Sequence, residues 1–153
     1  MAQGEALVVV DASVAVKWFT REEFSDSAAR LLAMHREGKV SLASPYLLTY
    51  EVANALRYNP GFGIQDVKRA VRALEGLQVS LFPPAGELMD ISAEVAFTHG
   101  LSFYDSTYVA LAMATKSTFY TADREVVKKV QKDWVKHIGA LGERENTPRS
   151  NPA

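Results

Sequence analysis

Five short apolar runs alternate along the chain with longer segments of helical periodicity, and this order restricts the possible folds strongly. The runs predicted to be strands are residues 7–10, 39–43, 78–82, 118–121 and 134–138. The segments between them repeat apolar residues every three to four positions, which is typical of helices with one buried face. Strands separated by helices favour a parallel sheet covered on both faces. We therefore predict an α/β fold: one three-layer α/β/α domain with a parallel sheet of about five strands.

Helices are predicted near residues 25–34, 45–58, 64–74, 88–95, 103–115 and 124–132. Ser25 is predicted to cap the first of these, since a serine side chain can accept from the backbone N–H groups of a first turn. Pro45 is predicted to stand in the first turn of the second, where its missing N–H is harmless. The domain is predicted to cover residues 1–141, with 142–153 as a polar, disordered tail.

Length and composition narrow the class of protein. A chain of 153 residues is long enough to bury a core as one domain without a metal or disulfide staple. It has no cysteine, which excludes disulfides, thiolate metal sites and a cysteine nucleophile, and which fits the cytoplasmic location that we expect. The apolar run at residues 7–10 is too short to cross a bilayer, so no membrane association is expected.

The net charge of −1 gives the chain no overall attraction for nucleic acid. Any nucleic-acid binding must therefore depend on local basic patches or on metal ions.

Four acidic residues stand where an ordinary core would not place them. Asp11 and Asp123 directly follow the first and fourth predicted strands, Glu51 lies beside the buried stripe of a helix, and Asp105 opens an apolar helix. Ligand sites of parallel sheets form at the carboxyl ends of the strands, so these carboxylates are predicted to converge there. Their mutual repulsion would raise some of their pKa values unless a hard divalent cation, Mg²⁺ or Mn²⁺, neutralised them. Such a site suits phosphodiester hydrolysis.

Each acid also has a purely structural explanation. Asp11 and Asp123 are well placed as helix N-caps, and Asp105 fits a capping pattern that begins at Ser102. Glu51 could pair with Arg57 on the same helix. The residues taken singly leave both explanations open.

The stretches around the four acids resemble the PIN-domain nucleases, and among them the VapC-type toxins of prokaryotic toxin–antitoxin pairs. The matching segments are VVVDAS at 8–13, EVANAL at 51–56, LSFYDSTYVALA at 101–112 and TAD at 121–123. They occur in the family's order, with the acids 40, 54 and 18 residues apart, and the likeness runs from about residue 7 to 139. Ser106 departs from the commonest pattern, which has a small apolar residue at that position.

The resemblance implies a site as well as a fold. It implies that the first and fourth strands lie side by side, and that the acids around the metal are Asp11, Glu51, Asp105 and Asp123. Ser13 and Thr121 match hydroxyl positions that orient these carboxylates or a water. Asn54, three residues after Glu51, is a supporting candidate with either a site contact or an ordinary surface role.

The resemblance further implies a metal-dependent endoribonuclease that hydrolyses RNA phosphodiester bonds with Mg²⁺ or Mn²⁺. It implies a toxin that forms a homodimer and is silenced by a cognate VapB-type antitoxin. The alternative is a catalytically silent PIN-like module that binds only RNA or protein. A receiver-like phospho-acceptor domain fits less well, because such domains place paired acids after the first strand and Asp11 is followed by alanine and serine.

Overall fold

The computed structural model describes residues 6–146, and at their centre is a parallel sheet of five strands. The strands are β1 (Ala6–Val10), β2 (Val40–Pro45), β3 (Ser80–Phe82), β4 (Thr118–Thr121) and β5 (Val135–His137). Their order across the sheet is β3-β2-β1-β4-β5, and every neighbouring pair is parallel. The predicted fold class is confirmed, and so is the predicted contact between the first and fourth strands.

Helices flank both faces of this sheet. They are α1 (Ala12–Ala15, continued by a 3₁₀ turn at Val16–Trp18), α2 (Ser25–Arg36), α3 (Leu47–Arg57), α4 (Ile64–Gly76), α5 (Glu87–His99), α6 (Phe103–Thr115), α7 (Arg124–Val130) and α8 (Gly139–Asn146). Within residues 6–146, no helix has the length and apolar character needed to cross a membrane.

The side chains of β1 point alternately to the two faces of the sheet, and this explains the three layers. Val9 packs into a core cluster with residues of α3, α4, α5, α6 and α7, including Val52 and Val109. Val8 and Val10 point to the other face, where they meet α2 through residues such as Leu31. Because successive side chains of a strand point to opposite faces, a run of valines buried on both sides suits a central strand.

Pro45 ends a strand instead of opening a helix, so the prediction for this residue was wrong. The pairing of β1 with β2 ends at Val9 and Ala43, and beyond that point β2 has only β3 as a neighbour. The next residue, Tyr46, supplies its backbone N–H to the carbonyl of Phe82. The missing N–H of Pro45 therefore leaves no gap in the sheet.

Ser25 is the first residue of α2 and not its cap. The N-cap position is taken by Phe24, in a left-handed conformation with φ of 64°. The Ser25 hydroxyl instead accepts from the N–H of Glu22 and donates to the carbonyl of Thr20. It thus closes the loop that precedes the helix.

Part of the segment predicted to be a disordered tail is helical, because α8 continues to Asn146. Leu141 packs against the core cluster that contains Ile138, and Gly142 lies close enough to Ser27 that an added Cβ would come within 2.6 Å of its hydroxyl oxygen. The remainder of the predicted tail, residues 147–153, lies outside the described residues.

Candidate active site

Asp11 and Thr121 meet at the carboxyl ends of two adjacent strands. Val10 is in register with Tyr120 in the β1–β4 pair, so Asp11, the first residue after β1, lies beside Thr121, the last residue of β4. The Thr121 hydroxyl donates to Oδ2 of Asp11 at 2.5 Å, across 110 residues of sequence. The order of the strands in the sheet therefore brings Asp11 and Thr121 together.

Asp11 is a nearly buried carboxylate held by three donors. Only 8% of the residue is exposed. Its Oδ1 accepts from the Ser13 hydroxyl at 2.5 Å and from the backbone N–H of Val14 at 3.3 Å, so Asp11 also caps α1. Burial raises the pKa of Asp11 to about 6, against the opposite effect of these hydrogen bonds and with a smaller contribution from the charge of Asp105. The carboxylate is fixed in place and charged above about pH 6.

Ser13 and Thr121 link the acidic edge together. The Ser13 hydroxyl accepts from the backbone N–H of Ala122 at 2.8 Å, and the Thr121 hydroxyl accepts from the N–H of Asp123 at 3.0 Å. The two hydroxyls lie 3.3 Å apart. Both side chains thus orient Asp11 and hold the backbone that leads to Asp123.

Glu51 lies on α3, where it is half-buried. Its Oε1 accepts a hydrogen bond of 2.6 Å from the Tyr108 hydroxyl, and no ion pair joins it to Arg57. Burial raises the pKa of Glu51, the tyrosine hydrogen bond opposes that rise, and the charge of Asp105 adds to it. The acid is therefore held by a neutral donor instead of a cation.

Asp105 stands in the first turn of α6, half-buried, with its N–H donating to the capping hydroxyl of Ser102 at 3.1 Å. Burial raises its pKa, and the charge of Asp123 raises it further, while Ser102 and Lys129 act in the opposite direction. Asp105 is the common electrostatic neighbour of the other three acids, because its charge also acts on Asp11 and Glu51.

Asp123 is more open to solvent than the other three acids. It caps α7 by accepting from the N–H of Glu125 at 2.9 Å. Asn54 is exposed, and its side chain makes no hydrogen bond within residues 6–146. Ser13 and Thr121 thus form hydrogen bonds at the acids, whereas Asn54 forms none with them.

The donor set is suited to a hard divalent cation, since it offers carboxylate oxygens and hydroxyls only. In the part of the chain that the structure describes, no three acidic or histidine side chains already form a metal-ligating group. Mg²⁺ usually keeps several of its waters and takes only one or two carboxylates from the protein. The acids that repel one another at this edge fit that mode of binding, in which a hydrated cation lies between them.

Tyr108 is a site residue that sequence reasoning missed. Its position within an apolar helix favours a role in the core, and Tyr108 is indeed only 1% exposed. Its spacing from Asp105 was the available signal, because residues three apart share one side of a helix.

The model of the PIN domain family matches residues 8–132, which is more than half of the chain. The match includes all four acids. The resemblance found in the sequence is thereby confirmed.

Two ribonucleases of known family are similar in sequence. Ribonuclease VapC3 of Pyrobaculum aerophilum is 33% identical over 127 residues, which cover 80% of this chain and 93% of the relative. Ribonuclease VapC9 of Mycobacterium tuberculosis is 32% identical over 123 residues, covering 76% of this chain and 86% of the relative.

Solved structures agree on the fold. A crystal structure of a Pyrobaculum aerophilum protein aligns with a TM-score of 0.64 at 26% identity, covering 92% of this chain and 96% of that one. VapC20 of Mycobacterium tuberculosis, described as a toxin that cleaves the sarcin-ricin loop, gives 0.65 at 17% identity, with 84% and 96% covered. VapBC2 of Rickettsia felis bound to promoter DNA gives 0.63 at 11% identity, with 82% and 91% covered. By its family model and its VapC relatives, this chain belongs to the PIN-domain family.

Proposed function

We propose that this protein is a metal-dependent endoribonuclease and the toxin of a toxin–antitoxin pair. The observation that carries the proposal is the set of acids at the carboxyl edge of β1 and β4. Asp11, Glu51 and Asp105 all have raised pKa values, and none of the three is neutralised by an ion pair within residues 6–146. A site with this much unbalanced negative charge is suited to a cation.

Asp11, Glu51, Asp105 and Asp123 would hold the cation, which we propose to be Mg²⁺ or Mn²⁺. When bound, a divalent ion of this kind activates water and stabilises negative charge on a phosphate group. Ser13 and Thr121 fix the orientation of Asp11, so that its carboxylate is available without rearrangement. Because a protonated carboxyl group binds a cation poorly, activity should fall as the pH drops below about 6.

The basic side chains nearest the site favour a phosphate substrate. Helix α7 begins directly after Asp123 and bears Arg124, Lys128 and Lys129. Lys129 is close enough to lower the pKa of Asp105, and its amine donates to the carbonyl of Gly100 at 3.3 Å. A phosphate chain passing the acids would therefore meet cations along this helix.

A homodimer and a VapB-type antitoxin are the proposed protein partners, and the cytoplasm is the proposed location. The support is an exposed set of large apolar side chains, among them Tyr50 (76% exposed), Phe97 (93%) and Tyr104 (64%). Aromatic residues are enriched where proteins meet one another. Light scattering of the purified protein, alone and with the product of the adjacent reading frame, tests both partners.

The deciding experiment supplies linear and circularised RNA to the purified protein with Mn²⁺, with EDTA, and as the Asp11→Asn variant. We expect cleavage of both RNAs with Mn²⁺ and of neither in the other two conditions. Cleavage of linear RNA alone would contradict endonucleolytic action, since a circle has no end to trim. Binding without cleavage would instead support the catalytically silent alternative.

A further inference from the structure

We propose that Tyr108 is a positioning residue that fixes the Glu51 carboxylate for cation binding by holding one of its oxygens. The inference rests on the proposed function and extends it by a residue outside the acidic set. It concerns the orientation of Glu51, and it assigns no proton transfer to the phenol.

The first support is the immobility of the tyrosine ring. Tyr108 is 1% exposed and lies in the middle of the core cluster. Its ring stacks on that of Phe119, with 6.2 Å between the centroids and 9° between the planes. Because α6 and β4 both hold this pair, the position of the hydroxyl is set by the core and not by solvent.

The second support is the contact itself. The phenol donates to Oε1 of Glu51 at 2.6 Å, a length typical of a hydrogen bond from a hydroxyl to a charged carboxylate. It joins α6 to α3 across 57 residues of sequence. With one lone pair of Oε1 engaged in this way, Oε2 is the Glu51 oxygen with both lone pairs free of the tyrosine.

The third support is the setting of Glu51. A glutamate side chain has three rotatable bonds, and ordering it for a ligand has an entropic cost. Groups that orient a ligating carboxylate commonly change metal affinity by about 10- to 100-fold when they are removed. No cation of the described residues lies within ion-pair distance of Glu51, which leaves Tyr108 as the group that orients it.

The test compares Tyr108→Phe with a matched control, Thr115→Val. Both changes remove a hydrogen-bonded hydroxyl from α6, but the half-buried Thr115 hydroxyl bonds to the carbonyl of Leu111 and to the Ser117 hydroxyl, far along the helix from Asp105. Mn²⁺ binding is measured by calorimetry, and RNA cleavage is measured as a function of Mn²⁺ concentration. We expect Tyr108→Phe to weaken Mn²⁺ binding by about 10-fold or more. Cleavage should return to near the wild-type rate at saturating Mn²⁺, and Thr115→Val should bind Mn²⁺ as the wild type does.

A purely structural role gives a different pattern. Unchanged Mn²⁺ affinity in Tyr108→Phe would overturn the inference, and so would a loss of rate that saturating Mn²⁺ does not restore. If Tyr108→Phe fails to fold, Glu51→Asp serves instead, because it keeps the charge but is too short to maintain the contact. Wild-type Mn²⁺ affinity in Glu51→Asp would also contradict the inference. Failure of the wild-type protein to bind Mn²⁺ and to cleave RNA would overturn the proposed function itself, and this inference with it.

Discussion

Acidic residues in two regions of this molecule have opposite surroundings. Around α2 and α4, acids are paired with bases: Asp26 lies 2.6 Å from Arg21, and Asp66 lies 2.6 Å from Arg69. At the carboxyl edge of β1 and β4, Asp11 and its neighbours accept from hydroxyls and backbone N–H groups only. Within residues 6–146, no cation forms an ion pair with these acids, although Lys129 lies near enough to lower the pKa of Asp105.

The pKa values follow the same division. Arg21 lowers the pKa of Asp26, and the N–H of Gly63 lowers that of Asp66, with help from Arg69. Burial instead raises the pKa of Asp11. The paired acids thus lie on the surface with their charge balanced, whereas the unpaired acids carry the unbalanced charge that the proposed cation would neutralise.

The largest expected difference between the two regions is in catalysis. Asp105→Asn should reduce metal-dependent RNA cleavage by about 10³-fold, since it removes a carboxylate proposed to hold the cation that stabilises negative charge on the phosphate. Asp26→Asn is the matched control, because the same atom is changed at an acid that Arg21 already neutralises. Cleavage rates of the two variants are measured with a labelled RNA. Equal rates would contradict the expected difference between the paired and unpaired acids.

The second largest difference is expected in the pH dependence of the free energy of unfolding, measured in EDTA. The folded pKa of Asp11 is raised to about 6 from 3.8, so its protonated form is favoured in the folded state. Its contribution to the free energy of unfolding is therefore fully present below about pH 3.8 and is lost as the pH rises through 6. The loss is on the order of 3 kcal/mol. Denaturant unfolding from pH 3.5 to 7 should show this decline in the wild type.

Asp11→Asn should reduce that decline, because an amide does not titrate in this range, while Glu51 and Asp105, whose pKa values burial also raises, still contribute. A decline of unchanged size in this variant would assign the effect to another group.

A third effect should follow from adding cation. Mn²⁺ at about 100 times its Kd should raise the free energy of unfolding by about 2.7 kcal/mol, if the folded state alone binds it. The gain should be smaller in Asp11→Asn and unchanged in Asp66→Asn. The gain is measured by thermal melts with and without Mn²⁺. A gain of wild-type size in Asp11→Asn would show that the ion binds elsewhere.

The smallest effect should come from the paired acids themselves. Arg21→Ala leaves Asp26 unpaired at a position where both side chains are mostly exposed, at 77% and 85%. Exposed ion pairs contribute little, so no measurable change in the denaturant midpoint is expected. A clear loss of stability would show that this exposed ion pair contributes more to the free energy of unfolding than expected.

Periodicity predicted the elements of the fold well where one pattern dominated. The limits of α6 (Phe103–Thr115) and β4 (Thr118–Thr121) agree with the sequence. Pro45 was misplaced because its conformation suits both a strand end and a first helical turn. The choice between them depended on where the β1–β2 pairing stops, which is a tertiary fact.

The acids of the candidate site were found because the sequence pattern predicts their positions. Two of them follow a strand, one opens a helix and one lies beside the buried face of a helix. Tyr108 was not found, since its spacing from Asp105 places both residues on one side of α6 but does not show that its hydroxyl meets Glu51. Only the tertiary fold brings Tyr108 of α6 to Glu51 of α3. Ser106 was noted as a departure from the family, and the structure shows its hydroxyl donating to the carbonyl of Ser102 at 2.7 Å.

The adjacency of β1 and β4 also affects how the protein is made. A nascent chain that has emerged only as far as α6 contains Asp11 but lacks Thr121 and Asp123. Translation must therefore proceed past Asp123 before the four carboxylates can be assembled. A product that terminated within α6 would lack two of the side chains at the carboxyl edge of β1 and β4.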